Sequence, residues 1–282
     1  MSKNTAPQQR RTSASPSGLR DRKPVLWHIA VSHYNEKVRW ALDWKGVEHE
    51  RRAPPPPSHM LIAMALTRGR SKTFPVLSLE GRHIGDSTEI IAALEERWPD
   101  PPLYPDDPDE RRRALELEDF FDEELAPHVR LLVWHETTAE HGGQGMGSVV
   151  ANSLPPALAR LGPVRRGAGA MAAAYVKLRY GVSDRTAAAD ARRKIELAMD
   201  RLEDELGDAD YLVGDRFTVA DLTAASLFYP FAQPAEGPHV LTEIPPAFED
   251  FVAGFRDRRG VAYVAEMFAR HRKPATSPAL SG

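Results

Sequence analysis

Residues that could act chemically on a small polar ligand fall in three short stretches of this chain. The first is Ser32-His33-Tyr34-Asn35-Glu36-Lys37-Val38-Arg39, where an apolar run gives way to helical spacing. A hydroxyl there stands at the positive end of a helix, where free backbone N–H groups and the dipole favour an anion. The same serine is also a good N-cap. The second stretch is Thr73-Phe74-Pro75-Val76. A proline at the first position of a strand gives up a ladder donor. It implies either an edge strand or a cis peptide that turns the Phe74 backbone outward, toward a peptide-like ligand. The third is Gly85-Asp86-Ser87-Thr88-Glu89, which opens a helix. Asp86 with Glu89 makes a capping-box-like start. The Ser87 hydroxyl and the first free N–H groups would bind a carboxylate while Asp86 receives an ammonium, so the pair complements the α-end of an amino acid.

The elements that must position these stretches follow from periodicity. Residues 24–30 form a short apolar run of strand type. Over 35–45 the period changes: Val38, Ala41 and Leu42 share one helical face, Glu36, Lys37, Arg39 and Asp43 lie largely elsewhere, and Gly46 stops the helix. A second strand over 47–52, a stiff proline connector at 54–57 and a helix over 60–66 precede a third strand over 74–79. A turn at Glu80-Gly81-Arg82 leads to Ile84, and Ser87 to Trp98 is a strongly periodic helix. The order β-α-β-α-β-β-α predicts a small α/β domain over 24–99 with a right-handed first crossover. Prolines then break all pattern over 100–108, which reads as a linker. Beyond it the spacing is helical, at about 109–140 (bending at Pro127), 165–181, 185–206, 218–230 and 246–271, so 109–272 is an all-helical domain. The Gly- and Pro-rich stretch 142–167 reads as a loop with one short helix. Residues 1–23, basic and without apolar periodicity, and 273–282 read as flexible tails.

In this order and spacing, the three stretches resemble the thioredoxin-like domain of the cytosolic glutathione transferase family. Ser32 matches the family's catalytic hydroxyl or cysteine, Phe74-Pro75 the residue and cis proline that hold the cysteinyl backbone of glutathione, and Asp86-Ser87 the pair that grips its γ-glutamyl group. A fourth match is Phe217-Thr218-Val219-Ala220-Asp221-Leu222. There Thr218 caps a helix, Asp221 returns the bond and Phe217 with Leu222 forms a staple, so these residues are structural. The resemblance covers roughly residues 24–272. It implies a thioredoxin-like α/β N-terminal domain plus an all-α C-terminal domain, with glutathione as co-substrate. It also implies a thiolate attacking a small electrophile, a cytoplasmic location and a homodimer. Tyr34 is the alternative activating hydroxyl. Lys72 is either a partner for the glycyl carboxylate or a solvated loop lysine. The electrophile is placed between the domains, against a wall drawn from Phe120, Phe121, Leu125, Val129 and Trp134. Two further readings stay open: a non-catalytic binding or scaffold protein of this fold, and a transferase using another small thiol.

Composition narrows the chemistry. The chain has no cysteine, which excludes disulfides, a cysteine nucleophile, thiolate zinc sites and iron–sulfur clusters; within the family it closes the mixed-disulfide branch. Thirty-seven basic residues against forty acidic ones leave a net charge of −3, so no nucleic-acid-type basic field is expected. No apolar run is long enough for a membrane helix, and no apolar segment follows Met1 as in a secretory signal. His135, Glu136, Glu140 and His141 follow no recognised metal-ligand spacing, so no metal is expected and they read as a solvated helix end.

Overall fold

Leu26 and Leu77, both fully buried, pair at the centre of a four-stranded sheet. The computed structural model describes residues 22–54, 58–139, 185–238 and 246–272, with isolated positions between 157 and 174. Strand β1 (Val25–Trp27) runs parallel to β2 (Glu50–Arg52) across helix α1 (His33–Trp44). After α2 (Ser58–Thr67), strand β3 (Val76–Leu79) pairs antiparallel with β1 and with β4 (Arg82–Ile84), giving the order β2-β1-β3-β4. Helix α3 (Ser87–Arg97) buries Ile90, Ile91 and Leu94 against α1 and β3. The basic tail through residue 21, most of 142–167, most of the predicted helix over 165–181 and everything beyond 272 lie outside the described residues.

The linker is packed. Leu103 and Tyr104 are buried, the Leu103 N–H donates to Glu95 Oε1 (2.5 Å), and the Leu103 carbonyl accepts from the Val219 N–H (2.8 Å). Helix α4 (Pro108–Phe120) then passes into a π-helical turn, Phe121–Leu125, and on into α5 (Ala126–Ala139). The interruption predicted at Pro127 thus takes the form of a π-turn just before it. The Ala126 N–H reaches back five residues to the Phe121 carbonyl, and Pro127 has no N–H to offer the next one.

Helix α6 (Arg185–Leu206) matches its predicted span, and α7 (Val219–Ala232) is buried almost all round, against α1, α4 and the last helix. Thr218 caps α7, with the Ala220 N–H on its Oγ1 (3.3 Å), and Asp221 accepts the Thr218 N–H (2.7 Å). The span predicted as one helix over 246–271 is two, α8 (Pro246–Ala253) and α9 (Arg259–His271). Gly254 follows the first, and Arg258, in extended backbone before the second, pairs with Asp200 (2.7 Å) and Glu203 (2.5 Å) of α6. Among the described residues no helix is long and apolar enough to cross a membrane.

Helix α1 departs from the amphipathic reading. Glu36, Lys37, Arg39 and Asp43 are all at most 5% exposed. Each charge is paired, some within the α/β domain and some by the helical one: Arg39 with Glu36 of its own helix (2.7 Å), Arg51 of β2 with Asp43 (2.7 Å), and Arg272 from the far end of the chain with Asp43 (2.8 Å) and Glu36 (2.7 Å). Buried ions persist only when so paired.

Candidate active site

The starts of α1 and α3 and the loop before β3 converge on one cavity of about 590 Å³, roofed by the helical domain. Ser32 is the N-cap of α1 in extended conformation, and its Oγ accepts the Asn35 N–H at 3.4 Å. Among the described residues its own hydroxyl hydrogen has no acceptor, and the residue is half-buried at the cavity wall.

The Phe74–Pro75 peptide is cis. Asn35, fully buried, fixes this loop against the first one: its Nδ2 donates to the Phe74 carbonyl (3.3 Å) and its Oδ1 accepts the Ile29 N–H (3.2 Å). The sequence carried a signal for Asn35, which sits three residues before Val38 and therefore on the apolar face of α1.

Asp86 caps α3, accepting from the N–H groups of Thr88 (2.9 Å) and Glu89 (3.2 Å), and with Ser87 faces the cavity. Behind it lies a buried cluster absent from the sequence reading. Lys37 Nζ meets Glu118 Oε1 (2.7 Å) and Asp122 Oδ2 (2.5 Å), and the Thr88 hydroxyl stands 3.1 and 3.0 Å from the same two oxygens. Burial alone would lower the Lys37 pKa, but Asp122 and Glu118 overcome it and hold it above its ordinary value. Burial pushes the Glu118 carboxyl up, and Lys37 only partly opposes this, since one ammonium serves two carboxylates.

Tyr34 donates its hydroxyl to the Asp122 carbonyl (3.0 Å), the group whose π-helical donor position is occupied by Pro127. Burial raises the phenol well above its ordinary pKa, so this proton stays on Tyr34. His33 packs against Tyr34 with the rings tilted and 4.8 Å apart and is buried, and desolvation together with Arg130 lowers its pKa to about 3, leaving the ring neutral.

Lys72 is exposed on the loop and does not line the cavity. Phe121, Leu125 and Val129, expected in the second-substrate wall, are completely buried instead. They form the stripe at i, i+4 and i+8 that turns into the helical core, with Phe121 edge-on to Phe228 of α7 at 6.1 Å. Phe120 packs against Phe121 (5.2 Å) and is not part of the lining. The face that lines the cavity carries Asp119, Asp122, Glu123, Arg130, Val133 and the expected Trp134. Opposite, the end of α7 and the chain after it bring Tyr229, Pro230, Pro234 and Pro238; the Tyr229 hydroxyl donates to the Val31 carbonyl (3.2 Å). Glu136 is buried and ion-paired with Arg192, while Glu140 and His141 lie outside the described residues.

A βαβ unit extended by an antiparallel hairpin, a cis proline opening the third strand and an appended all-helical domain define a two-domain thioredoxin-like protein. Residues 26–102 match the glutathione S-transferase N-terminal domain and residues 168–258 the glutathione S-transferase C-terminal domain, between them more than half of the chain. The chain belongs to the glutathione S-transferase family. It is 30% identical over 132 residues to a maleylacetoacetate isomerase of Rattus norvegicus, an alignment covering 42% of this chain and 56% of that one. The chain spans about half the length of the curated relatives it matches. Its fold is similar to that of the β-etherase LigF from Sphingobium sp. strain SYK-6, with a TM-score of 0.56 and 18% identity over 87% of this chain and 99% of that one. It is likewise similar to a theta class glutathione S-transferase from Xanthomonas axonopodis pv. citri, solved with glutathione bound, with a TM-score of 0.53 and 19% identity over 90% and 99%.

Proposed function

We propose that the protein is a glutathione transferase in which Ser32 stabilises the thiolate of bound glutathione for attack on a small electrophile. The observation that carries this reading is the Ser32 hydroxyl, which faces the same cavity as the cis Phe74–Pro75 loop and the start of α3, with no acceptor for its hydrogen among the described residues. The chain has no cysteine, so the sulfur nucleophile arrives with the ligand.

The magnitudes are sufficient. A thiol of pKa ~8.5 is only a few per cent ionised at neutral pH. Lowering it by ~2 units requires about 2.7 kcal/mol of preferential stabilisation of the thiolate. A hydrogen bond to a charged acceptor contributes ~1.5–3 kcal/mol, and the N-terminus of α1 adds ~0.3–1 kcal/mol. Asp86 and Ser87 would hold the γ-glutamyl end and the Phe74 backbone the cysteinyl residue. The family resemblance supports a homodimer in the cytoplasm.

The test is Ser32→Ala, titrated with glutathione while thiolate absorbance is followed against pH. The bound thiol should ionise about 1–2 units higher, with turnover at neutral pH falling at least about tenfold. A Ser32→Ala protein with undiminished turnover overturns the assignment.

A further inference from the structure

Helix α2 is apolar on both sides. Ala63, Ile62 and Leu66 pack inward with Phe74, Val76, Trp27 and Ile29. Outward it presents Leu61, Met64 and Ala65, which lie three and four residues apart and therefore on one face. Leu61, 72% exposed, is the most open large apolar side chain among the described residues, and Met64 is 41% exposed. A helix that is apolar all round is normally covered, and an exposed apolar face marks a surface that meets something else. None of the three outer residues lines the cavity.

The charge around this face is one-sided. From Arg51 to Leu79 the chain holds Arg51, Arg52, Arg68, Arg70 and Lys72 and no acidic residue, within a protein of net charge −3. Arg51 and Arg52 are paired with Asp43 and Glu50. Arg68, Arg70 and Lys72 have no acidic partner among the described residues, and Arg70 donates to the backbone carbonyls of Thr67 (3.2 Å) and His83 (3.3 Å). All three sit in the loop that leaves α2, and that loop is fixed. Arg68 and Gly69 take left-handed backbone (φ 55° and 82°), Thr67 Oγ1 accepts the Ser71 N–H (2.9 Å), and the Ser71 hydroxyl donates to the Gly85 carbonyl (2.7 Å). Strands β3 and β4, on which α2 packs, add Arg82 and no acidic residue.

We propose that the outer face of α2 and the loop after it dock the protein reversibly on an anionic phospholipid surface. Leu61 and Met64 enter the boundary of the acyl chains, and Arg68, Arg70 and Lys72 meet the headgroup anions. A bilayer fits this surface better than a folded partner does. Helix α2 has ten residues and is about 15 Å long, so its outer face falls well short of the ~800 Å² that a stable protein interface takes from each side. Lipid needs no matching groove: apolar side chains partition into it, and mobile headgroups gather round fixed cations. The same loop runs on into Thr73, Phe74 and Pro75 of the cavity wall, so docking sets the cavity beside the phase in which apolar compounds dissolve.

Flotation of the whole chain with phosphatidylcholine vesicles, with and without about a third phosphatidylserine, reads binding directly and independently of any activity. The protein should float with the anionic vesicles and not with the neutral ones, and added salt should weaken the association. Leu61→Ser with Met64→Ser should weaken it by about tenfold or more. Arg68→Gln with Lys72→Gln should weaken it by about twenty- to thirtyfold, at about fivefold for each charge removed. Both pairs change exposed side chains, so their urea midpoints should match the wild type. Three results overturn the inference: no binding to anionic vesicles, equal binding to neutral ones, or wild-type binding by both variant pairs, which would put the lipid contact elsewhere, as in the basic residues 1–23. Sedimentation velocity tests the other occupant. A wild-type oligomer that Leu61→Ser with Met64→Ser dissociates makes the face a contact between copies of the chain and overturns the lipid assignment.

Discussion

Replacing Tyr34 with phenylalanine removes the hydroxyl that donates to the Asp122 carbonyl and leaves that carbonyl without a side-chain donor among the described residues. That carbonyl has no alternative within its helix, because the residue five positions on is Pro127. A neutral hydrogen bond contributes ~0.5–1.5 kcal/mol net, and orphaning a buried acceptor costs ~1–3 kcal/mol. Tyr34 is half-buried at a cavity wall that water can reach, so the lower part of that range applies, about 1–2 kcal/mol. Urea unfolding of wild type and Tyr34→Phe measures this, and thiolate absorbance of bound glutathione measures ionisation in the same proteins. Stability should fall by about that amount while the thiol ionises at an unchanged pH. In a Pro127→Ala background, a restored N–H at 127 can serve the Asp122 carbonyl, so the cost of Tyr34→Phe should shrink to below about 0.5 kcal/mol. Two results refute the reasoning. One is a cost that is the same in both backgrounds. The other is a Tyr34→Phe protein of normal stability in which the thiol no longer ionises, which would make Tyr34 the activating hydroxyl.

Two further predictions follow from buried carboxylates. The raised pKa of Glu118 means that its proton stabilises the fold fully below the unfolded carboxylate value near ~4.3, a contribution lost as pH rises through the higher folded value. Glu118→Gln cannot lose it, so the stability of Glu118→Gln minus wild type should rise between pH 4 and pH 8; a flat or falling difference in urea midpoints contradicts this. Asp221 accepts from the Leu212 N–H (2.8 Å), the Thr218 N–H (2.7 Å), the Thr218 hydroxyl (2.8 Å) and the Tyr263 hydroxyl (2.6 Å) at zero exposure. Asp221→Ala strands all four donors and should lower stability by at least about 3 kcal/mol, and a loss under 1 kcal/mol would disprove its structural role.

What the sequence made legible was what local spacing controls. Apolar periodicity placed Val38 and Leu42, Ile90 and Leu94, and the span of α6, because a helix or strand must bury one stripe. The cap at Thr218 was likewise readable from its own spacing, whereas Pro75 left an edge strand and a cis peptide both open until the family resemblance favoured the cis form. Contacts made across long separations stayed hidden. The charged face of α1 looks solvated until residues from α4, the π-turn and Arg272 arrive to pair with it. Phe121, Leu125 and Val129 were identifiable as apolar, but which face of their helix meets the cavity is set by how the domains dock. The same holds for Lys37 with Glu118 and Asp122, whose cluster joins two domains.

Arg272 gives α1 a temporal dimension. Its bond to Glu36 joins residues 236 positions apart, and its bond to Asp43 residues 229 apart. A ribosome adding ~5–20 residues per second takes on the order of ten to fifty seconds to cover that interval. Throughout that time the acidic face of the α1 segment, with Ser32 at its head, still lacks this arginine. The helix that carries the candidate chemistry is begun among the first elements of the chain and completed by one of the last.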